Sequence, residues 1–586
     1  MSADAPDAAG SPVDAGGSPV HSGRPTDDGS AVDVVVVGSG AAGMTAAITA
    51  ARRGLRVVVV EKAARFGGST ARSGGGLWLP DNHVLARAGV ADSAQDAATY
   101  LDRIIGNTAP AELRRAFLAD GPKMLAEVLE STPLRMRWVP GYSDYYPEEP
   151  GGRPGGRSIE PKPLDGRILG DLLADLEPDI TKAPPNFVVT QADFRWLNLL
   201  ARHPRGLLRG VRVALRWAFA QLRGKRLLVR GQALAAGLRA GLRHEGVPLR
   251  LNTPLLDLLQ DERGAVTGVV VDRGGEREQL RARRGVVLAA GGFEHDEVMR
   301  KQHQREPIGT GWTVGATANT GDAIRAAQSL GAAVDLMDEA WWGPSIPLTG
   351  GPWFCLAERT LPGCIMVNGE GRRFVNEAAP YVDAVHAMYG EGDGPARNMP
   401  TWLIADQRYR DRYVFAGLRP GQRLPRRWYA SGAVHRAGSL DELAADVDLP
   451  AEQLRSTVVR FNDLARRGVD EDFHRGRSAY DRYYGDPRNR PNPCLAPLEV
   501  PPFYAVRIVP GDLGTKGGLR IDEHARVLRD DGTPIPGLHA AGNTSSAVMG
   551  RTYAGPGATL GPAMTFGHLA AEHLAAGAPT SPRPAG

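Results

Sequence analysis

The run VDVVVVGSGAAGMTAAITAARRGLRVVVVEKAARFGGSTARSGGG, residues 32 to 76, decides the fold. Four valines, Val34 to Val37, pass through Gly38-Ser39-Gly40-Ala41-Ala42-Gly43 into an alanine-rich helical pattern, and a second apolar run, Leu55 to Val60, ends on Glu61. This is strand, tight turn, helix and strand. The acid stands eighteen positions after Gly43, the spacing at which a dinucleotide fold places the carboxylate that accepts the ribose hydroxyls. Gly38 permits the turn, Gly40 lets backbone approach a pyrophosphate, and Gly43 allows helix and strand to pack closely. The helix N-terminus at Ala41 and Ala42 adds unpaired N–H groups and partial positive charge.

Which dinucleotide is held follows from the next loop. After Glu61 and Lys62 the chain enters Phe66 to Gly76, where Gly68, Ser69, Thr70, Ser73, Gly74 and Gly75 form a second loop of glycines and hydroxyls. A nicotinamide enzyme has no need of it, whereas an extended FAD needs backbone and hydroxyl donors along its length. Here the sequence resembles the flavoprotein superfamily that includes fumarate reductase and the 3-ketosteroid dehydrogenases, and that resemblance implies FAD. A third glycine site, with Ala289 and Gly291, ends the apolar run from Arg284 to Phe293. A fourth follows Ile535 to Ala541 with Gly542 and Asn543, and a fifth, Tyr553 to Ala563, carries Ala558 and Leu560 into a final helix. The N-terminus of that helix is expected to face the pyrimidine side of the flavin. The fold class read from this pattern is α/β: a Rossmann-like, discontinuous FAD-binding domain (31–311 and 511–576) with an inserted α+β catalytic domain (312–510). A disordered tail over 1–30 and a flexible end over 577–586 complete the expected layout.

The chain has 586 residues, room for two or more domains. Its 70 Lys and Arg against 66 Asp and Glu leave a net charge of +4, which gives no support to nucleic-acid binding. Three cysteines, Cys355, Cys364 and Cys494, fit neither a zinc site nor a disulfide framework, and a cytoplasmic location is the expectation. A redox pair of Cys355 and Cys364 is the alternative. No metal site is expected, because no H-E-x-x-H or Cys/His cluster occurs. From Asp96 to about Leu129 the pattern is helical. Residues 201 to 226, ARHPRGLLRGVRVALRWAFAQLRGKR, read as a basic amphipathic helix. The preferred reading has its arginines in solvent; the alternative is peripheral contact with an anionic membrane.

Further blocks narrow the resemblance. FGGSTARSGGGLWLP, GYSDYYPE, DFRWLNLL, ATANTGDA, RRFVNEAAPYVDAVHAMYG and AAGNTSSAVMGRTYAGPGATLGPAMTFG together look like the 3-ketosteroid Δ1-dehydrogenase family, across nearly all of the chain after residue 31. The resemblance implies desaturation of ring A between C1 and C2 of a 3-ketosteroid in steroid degradation, with a hydride passing to FAD. By the same resemblance Tyr553 and the N–H of Gly557 hold the C3 carbonyl oxygen, Tyr381 removes the C2 proton, and Tyr145 assists it. Tyr142 and Phe354 would be aromatic walls. Tyr389 is a rival to Tyr381, and Tyr146 adjoins Tyr145. The electron acceptor that reoxidises the flavin is expected to be a small molecule of the quinone class.

Two other reactions stay open on the residues. One is desaturation at C4 and C5 of the same steroid class. The other is reduction of an unsaturated acid, as in fumarate reductase relatives, for which Arg373, His386 and Arg551 are available. The loop from Phe66 to Gly76 has no histidine, so FAD is expected to be held non-covalently. Denaturing the yellow protein and filtering it should leave all flavin in the filtrate, and flavin retained on the chain would contradict this reading.

Overall fold

Four consecutive valines need apolar cover on both faces, and the strand Val32–Val37 finds it at the centre of an eight-stranded sheet, where Val34, Val35 and Val36 are fully buried. The computed structural model describes residues 32–180, 186–392 and 394–577. The tail expected at 1–30, and all but Gly577 of the end expected at 577–586, lie outside the described residues. Leu249–Arg250, Val57–Val60, Val32–Val37, Glu276–Leu288 and Pro534–Ala540 run parallel in that order, with Arg526–Leu528 antiparallel at the edge. The helix Ala41–Arg52 returns from the first strand. Gly38 has φ +107, and a Cβ there would stand 2.2 Å from the carbonyl oxygen of Ala289 on the neighbouring strand's turn. Only glycine fits where three strand ends meet in this way.

The strand expected from Arg284 is longer than the apolar run, because it takes different partners along its length within the one eight-stranded sheet. Its first half pairs antiparallel with Val266–Arg273, and its second half joins the parallel sheet from Gly285 onward. Likewise the single helical stretch expected from 96 to 129 is two helices, Ala94–Ile105 and Ala111–Ser131. Gly106, at φ 56, ends the first, and Pro110 caps the second.

A second, antiparallel sheet of six strands is built on Phe503–Thr515, which pairs with Ala340–Ile346, Thr401–Ala405 and Val434–Ala437. That strand continues through residue 510, where the inserted domain was expected to end. Its far end returns to the nucleotide-binding sheet, where Thr515 Oγ1 accepts from the N–H of Phe293 at 3.1 Å. The α/β class therefore holds, with the end of this strand bonded to the turn that follows Glu276–Leu288 of the nucleotide-binding sheet.

One short segment of the second unit is held with unusual force. Glu377, fully buried, takes both Arg373 at 2.8 Å and Arg475 at 3.0 Å, and Arg373 also reaches Asp470 at 2.9 Å. Burial alone would push the Glu377 carboxyl up, but the two guanidinium groups hold it below the ordinary glutamate value. The buried Arg359 donates to the carbonyls of Glu377 and Ala379. These bonds fix the approach to the helix Tyr381–Tyr389. Removing one partner of such a network strands a buried charge, at about 3–5 kcal/mol. Glu377→Ala should therefore lower the denaturation free energy by about that amount, read from urea midpoints; a loss below about 1 kcal/mol would show that the network is dispensable.

Candidate active site

Phenol rings from three remote stretches of chain meet at one point. Tyr145 lies in the loop after Met136–Trp138, Tyr381 opens the helix Tyr381–Tyr389, and Tyr553 precedes the last helix, Leu560–Ala576. Their ring centroids are 5.2–5.4 Å apart, and Tyr145 donates its hydroxyl proton to the Tyr381 oxygen at 3.0 Å. The Tyr145 N–H also bonds the carbonyl of Ala554 at 3.0 Å, which ties the loop to the residue after Tyr553. Phe354 stands edge-on to Tyr381 at 5.2 Å. Tyr142 stacks on Tyr483 at 4.5 Å and accepts from the Tyr484 hydroxyl at 2.8 Å.

All of these except Tyr483 line one cavity of about 1470 Å³ that runs from Glu61 and Lys62, past the glycine loops, to the tyrosines and on to Trp353, Gly417 and Trp428. Gly38, Gly40, Ala41, Ala42, Gly68, Ser69, Thr70, Ser73, Gly74, Gly75, Ala289, Gly291, Gly542, Asn543, Gly557 and Leu560 line it as well. Two expected residues do not. Gly43 faces away, its Cβ position 2.0 Å from the carbonyl oxygen of Gly38, so what it provides is close helix-to-strand packing. Ala558 lines a small separate hollow behind Asn543 and Trp341.

The cavity fits an extended dinucleotide. Beside Gly40 the nearest group to an added Cβ is the Thr70 hydroxyl at 3.6 Å, and beside Gly68 nothing lies within 4 Å, so backbone lies bare along the wall. Several of the hydroxyls serve the loops themselves. Thr70 Oγ1 accepts from the N–H of Ala41 at 2.9 Å, Ser69 Oγ from that of Ala316 at 2.9 Å, and Ser73 donates to Thr70 at 2.7 Å. Glu61 is held by the N–H and hydroxyl of Ser39 at 2.9 and 2.6 Å, and Lys62 by Asp322 and Thr320. Among the described residues, no histidine or cysteine lines the cavity.

Burial dominates the electrostatics of the phenols. It pushes Tyr145 and Tyr381 well above the ordinary tyrosine value, with neighbouring phenols adding to the effect. The hydroxyl bond from Tyr145 works the other way on Tyr381. Tyr553 is also raised by burial, opposed by bonds from the Thr559 hydroxyl, Tyr381 and the backbone N–H of Gly557. So the Gly557 N–H lies within reach of the Tyr553 hydroxyl oxygen, which also shares a hydrogen bond with Thr559 Oγ1 at 2.9 Å. Gly557 has φ +100, and a Cβ there would stand 2.5 Å from the carbonyl oxygen of Gly76.

The rivals fall elsewhere. Tyr389 donates to the carbonyl of Pro307 at 3.1 Å and packs on Trp342, while Tyr146 donates to Asp383 at 2.8 Å; neither lines the cavity. Arg373, His386 and Arg551 do not line it either, being engaged by Glu377 and Asp470, by Glu339, and by Asp338 and Glu339 respectively. Cys355 and Cys364 are buried free thiols, and burial pushes Cys364 up to about 11. Three groups escaped the sequence reading. Tyr480, Tyr483 and Tyr484 wrap Tyr142 and Tyr145, and the density of tyrosine in AYDRYY was the available signal. Trp341 stands edge-on to Tyr553 at 5.0 Å and donates to Asn543 at 3.0 Å. Lys516, fully buried, lies 4.9 Å over the Trp341 ring and donates to the Thr552 carbonyl at 2.8 Å; burial lowers its pKa to about 8.

The model of the FAD binding domain family matches residues 33–560. The chain is 60% identical over 552 residues to the 3-oxosteroid 1-dehydrogenase of Mycobacterium tuberculosis, covering 93% of this chain and 98% of that one. Among solved structures it is similar to 3-ketosteroid Δ1-dehydrogenase from Sterolibacterium denitrificans in complex with 1,4-androstadiene-3,17-dione, at 42% identity, 93% and 100% coverage and a TM-score of 0.88. It shares the fold of 3-ketosteroid Δ4-(5α)-dehydrogenase from Rhodococcus jostii at 24% identity, with 94% and 98% coverage and a TM-score of 0.66. Matched along almost its whole length, with a cavity that fits the cofactor of the family model, the chain belongs to the 3-oxosteroid 1-dehydrogenase family of FAD-binding proteins.

Proposed function

We propose that this protein introduces a C1–C2 double bond into ring A of a 3-ketosteroid. The observation that carries the reading is the meeting of Tyr145, Tyr381 and Tyr553 with the Gly557 N–H at the wall of one cavity that also holds the cofactor loops. FAD bound along those loops supplies the acceptor for the hydride that leaves C1.

Tyr553 and Gly557 hold the C3 carbonyl oxygen by two hydrogen bonds, and these strengthen as charge develops there. Tyr381 takes the C2 proton on its phenolate oxygen, and the C2–H electron pair closes the new double bond as the hydride departs. Tyr145, already donating to the Tyr381 oxygen, stabilises the phenolate form. The partial positive charge at the start of the helix Tyr381–Tyr389 acts in the same sense. Tyr142 and Phe354 bound the ring system with apolar faces. The two electrons left on the enzyme go to a small acceptor, for which a quinone is the proposal.

Comparison favours C1–C2 over C4–C5, since the Δ1 relatives are the more similar. The unsaturated-acid reading lacks its carboxylate clamp, because Arg373, His386 and Arg551 are committed to other partners outside the cavity.

Because burial raises Tyr381, the phenolate fraction grows throughout the range below its pKa. Turnover should therefore climb from neutral into alkaline pH, and Tyr145→Phe, which removes a bond favouring the anion, should displace the climb to higher pH. Tyr381→Phe and Tyr553→Phe should each lower kcat by about 10²-fold or more with FAD still bound. A flat pH profile, or near-normal turnover in either variant, would remove the residue concerned from this role.

A further inference from the structure

The cavity continues past the phenols, and bonds of its own fix its outer end. Phe354 stands against Tyr381, and the preceding Trp353 donates its indole N–H to the buried Glu358 at 2.7 Å. Glu358 also accepts the N–H of Ala416 at 3.0 Å, and a Cβ on Gly417 would stand 3.4 Å from the Trp353 ring. The loop that follows is pinned in turn. The Arg410 guanidinium donates to the carbonyl of Gln422 at 3.0 Å, and the Arg410 carbonyl accepts from the N–H of Gly421 at 2.8 Å. Pro425 then caps the short helix Arg426–Ala430, in which Trp428 is 4% exposed. Leu418, Pro425, Arg427 and Trp428 are cavity wall.

Charge is unevenly placed along this wall. Its acids are Glu61, Glu177, Asp179 and Asp322; Ser39 holds the first, and Arg72, Arg230 and Lys62 pair with the others. Arg427 differs from these cations: it is exposed, and among the described residues its guanidinium has no hydrogen-bond or ion-pair partner. From Arg412 to Leu440 there is no Asp or Glu, and Arg419, Arg423 and Arg426 are exposed as well. Asp411, just before that stretch, is bonded by Gln407 at 2.7 Å. An unpaired guanidinium on the wall of a cavity, in surroundings without acids, offers an anion two parallel N–H donors and a favourable potential.

A steroid whose C3 carbonyl is held at Tyr553 and Gly557 is a rigid plate that carries its C17 substituent at the opposite end. We propose that Arg427 receives a carboxylate on that C17 side chain, so that the substrate class is acidic 3-ketosteroids. This rests on the steroid reading of the site. A neutral side chain gains only the apolar contacts of Trp353, Leu418 and Trp428, whereas an acid adds a charge-assisted pair.

The test compares kcat/KM for three 4-ene-3-ketosteroids: a 17-ketone, one whose C17 side chain ends in a carboxylate, and the methyl ester of that acid. At low salt the acid should exceed its ester by at least about fivefold, and the advantage should shrink as salt is added. Arg427→Gln should bring the acid-to-ester ratio near one, and Arg427→Glu should push it below one, with the change carried by KM. A ratio near one in the parent, or a ratio that Arg427→Glu leaves unchanged, would overturn the proposal. The 17-ketone separates the two readings. If it gains a C1–C2 double bond while the acid has no advantage, the carboxylate site alone fails; if none of the three bleaches the flavin, the steroid reading fails and this proposal with it.

Discussion

A backbone contact between the two ends of the chain governs the site. The turn at Gly557 rests against Gly76 and Trp78 so closely that a Cβ would stand 2.5 Å from the Gly76 carbonyl oxygen and 2.6 Å from the Trp78 amide nitrogen. That approach seats the start of the last helix beside the second cofactor loop. It also points the N–H of Gly557 toward the Tyr553 hydroxyl. The other two phenols are then brought to this fixed point: Tyr145 through its backbone bond to Ala554, and Tyr381 through the ion network at Glu377. The strand Phe503–Thr515 ties the second sheet to the nucleotide-binding part of the chain through the bond from Phe293 to Thr515.

The same packing creates the chemical difficulty that the site must solve. A phenol removed from water is a weaker acid, and neighbouring phenols disfavour the Tyr145 and Tyr381 anions further. In the proposed mechanism the phenolate falls to Tyr381, which accepts from Tyr145 and begins a helix, whereas Tyr553 is met by the Thr559 hydroxyl and the Gly557 N–H. Behind the ring cluster, several buried charges are paired, as Asp144 with Arg157 and Glu377 with Arg373 and Arg475. They give the apolar cavity a rigid polar backing.

The sequence disclosed those parts of the fold that are local. Strand, glycine turn, helix and acid fall within thirty residues, from Val32 to Glu61, and each obeys a steric rule that can be read without coordinates. Tyr145, Tyr381 and Tyr553 were found by resemblance, because no periodicity connects positions hundreds of residues apart. For the same reason Tyr480, Trp341 and Lys516 were passed over, being ordinary side chains until the fold sets them behind the site. The basic helix shows a partial error. Its composition promised arginines outside, and Arg212 is exposed, but Asp193, from a separate short helix, draws Arg209 and Arg216 inward, and no pattern within the helix could reveal that.

The account stands or falls on where the double bond appears. Adding a 3-ketosteroid with saturated C1 and C2 to the oxidised protein without oxygen, following flavin absorbance and identifying the product by mass and NMR, reads this directly. The structure predicts bleaching of the flavin together with a new C1–C2 double bond; a C4–C5 double bond, or flavin that stays yellow, would contradict it.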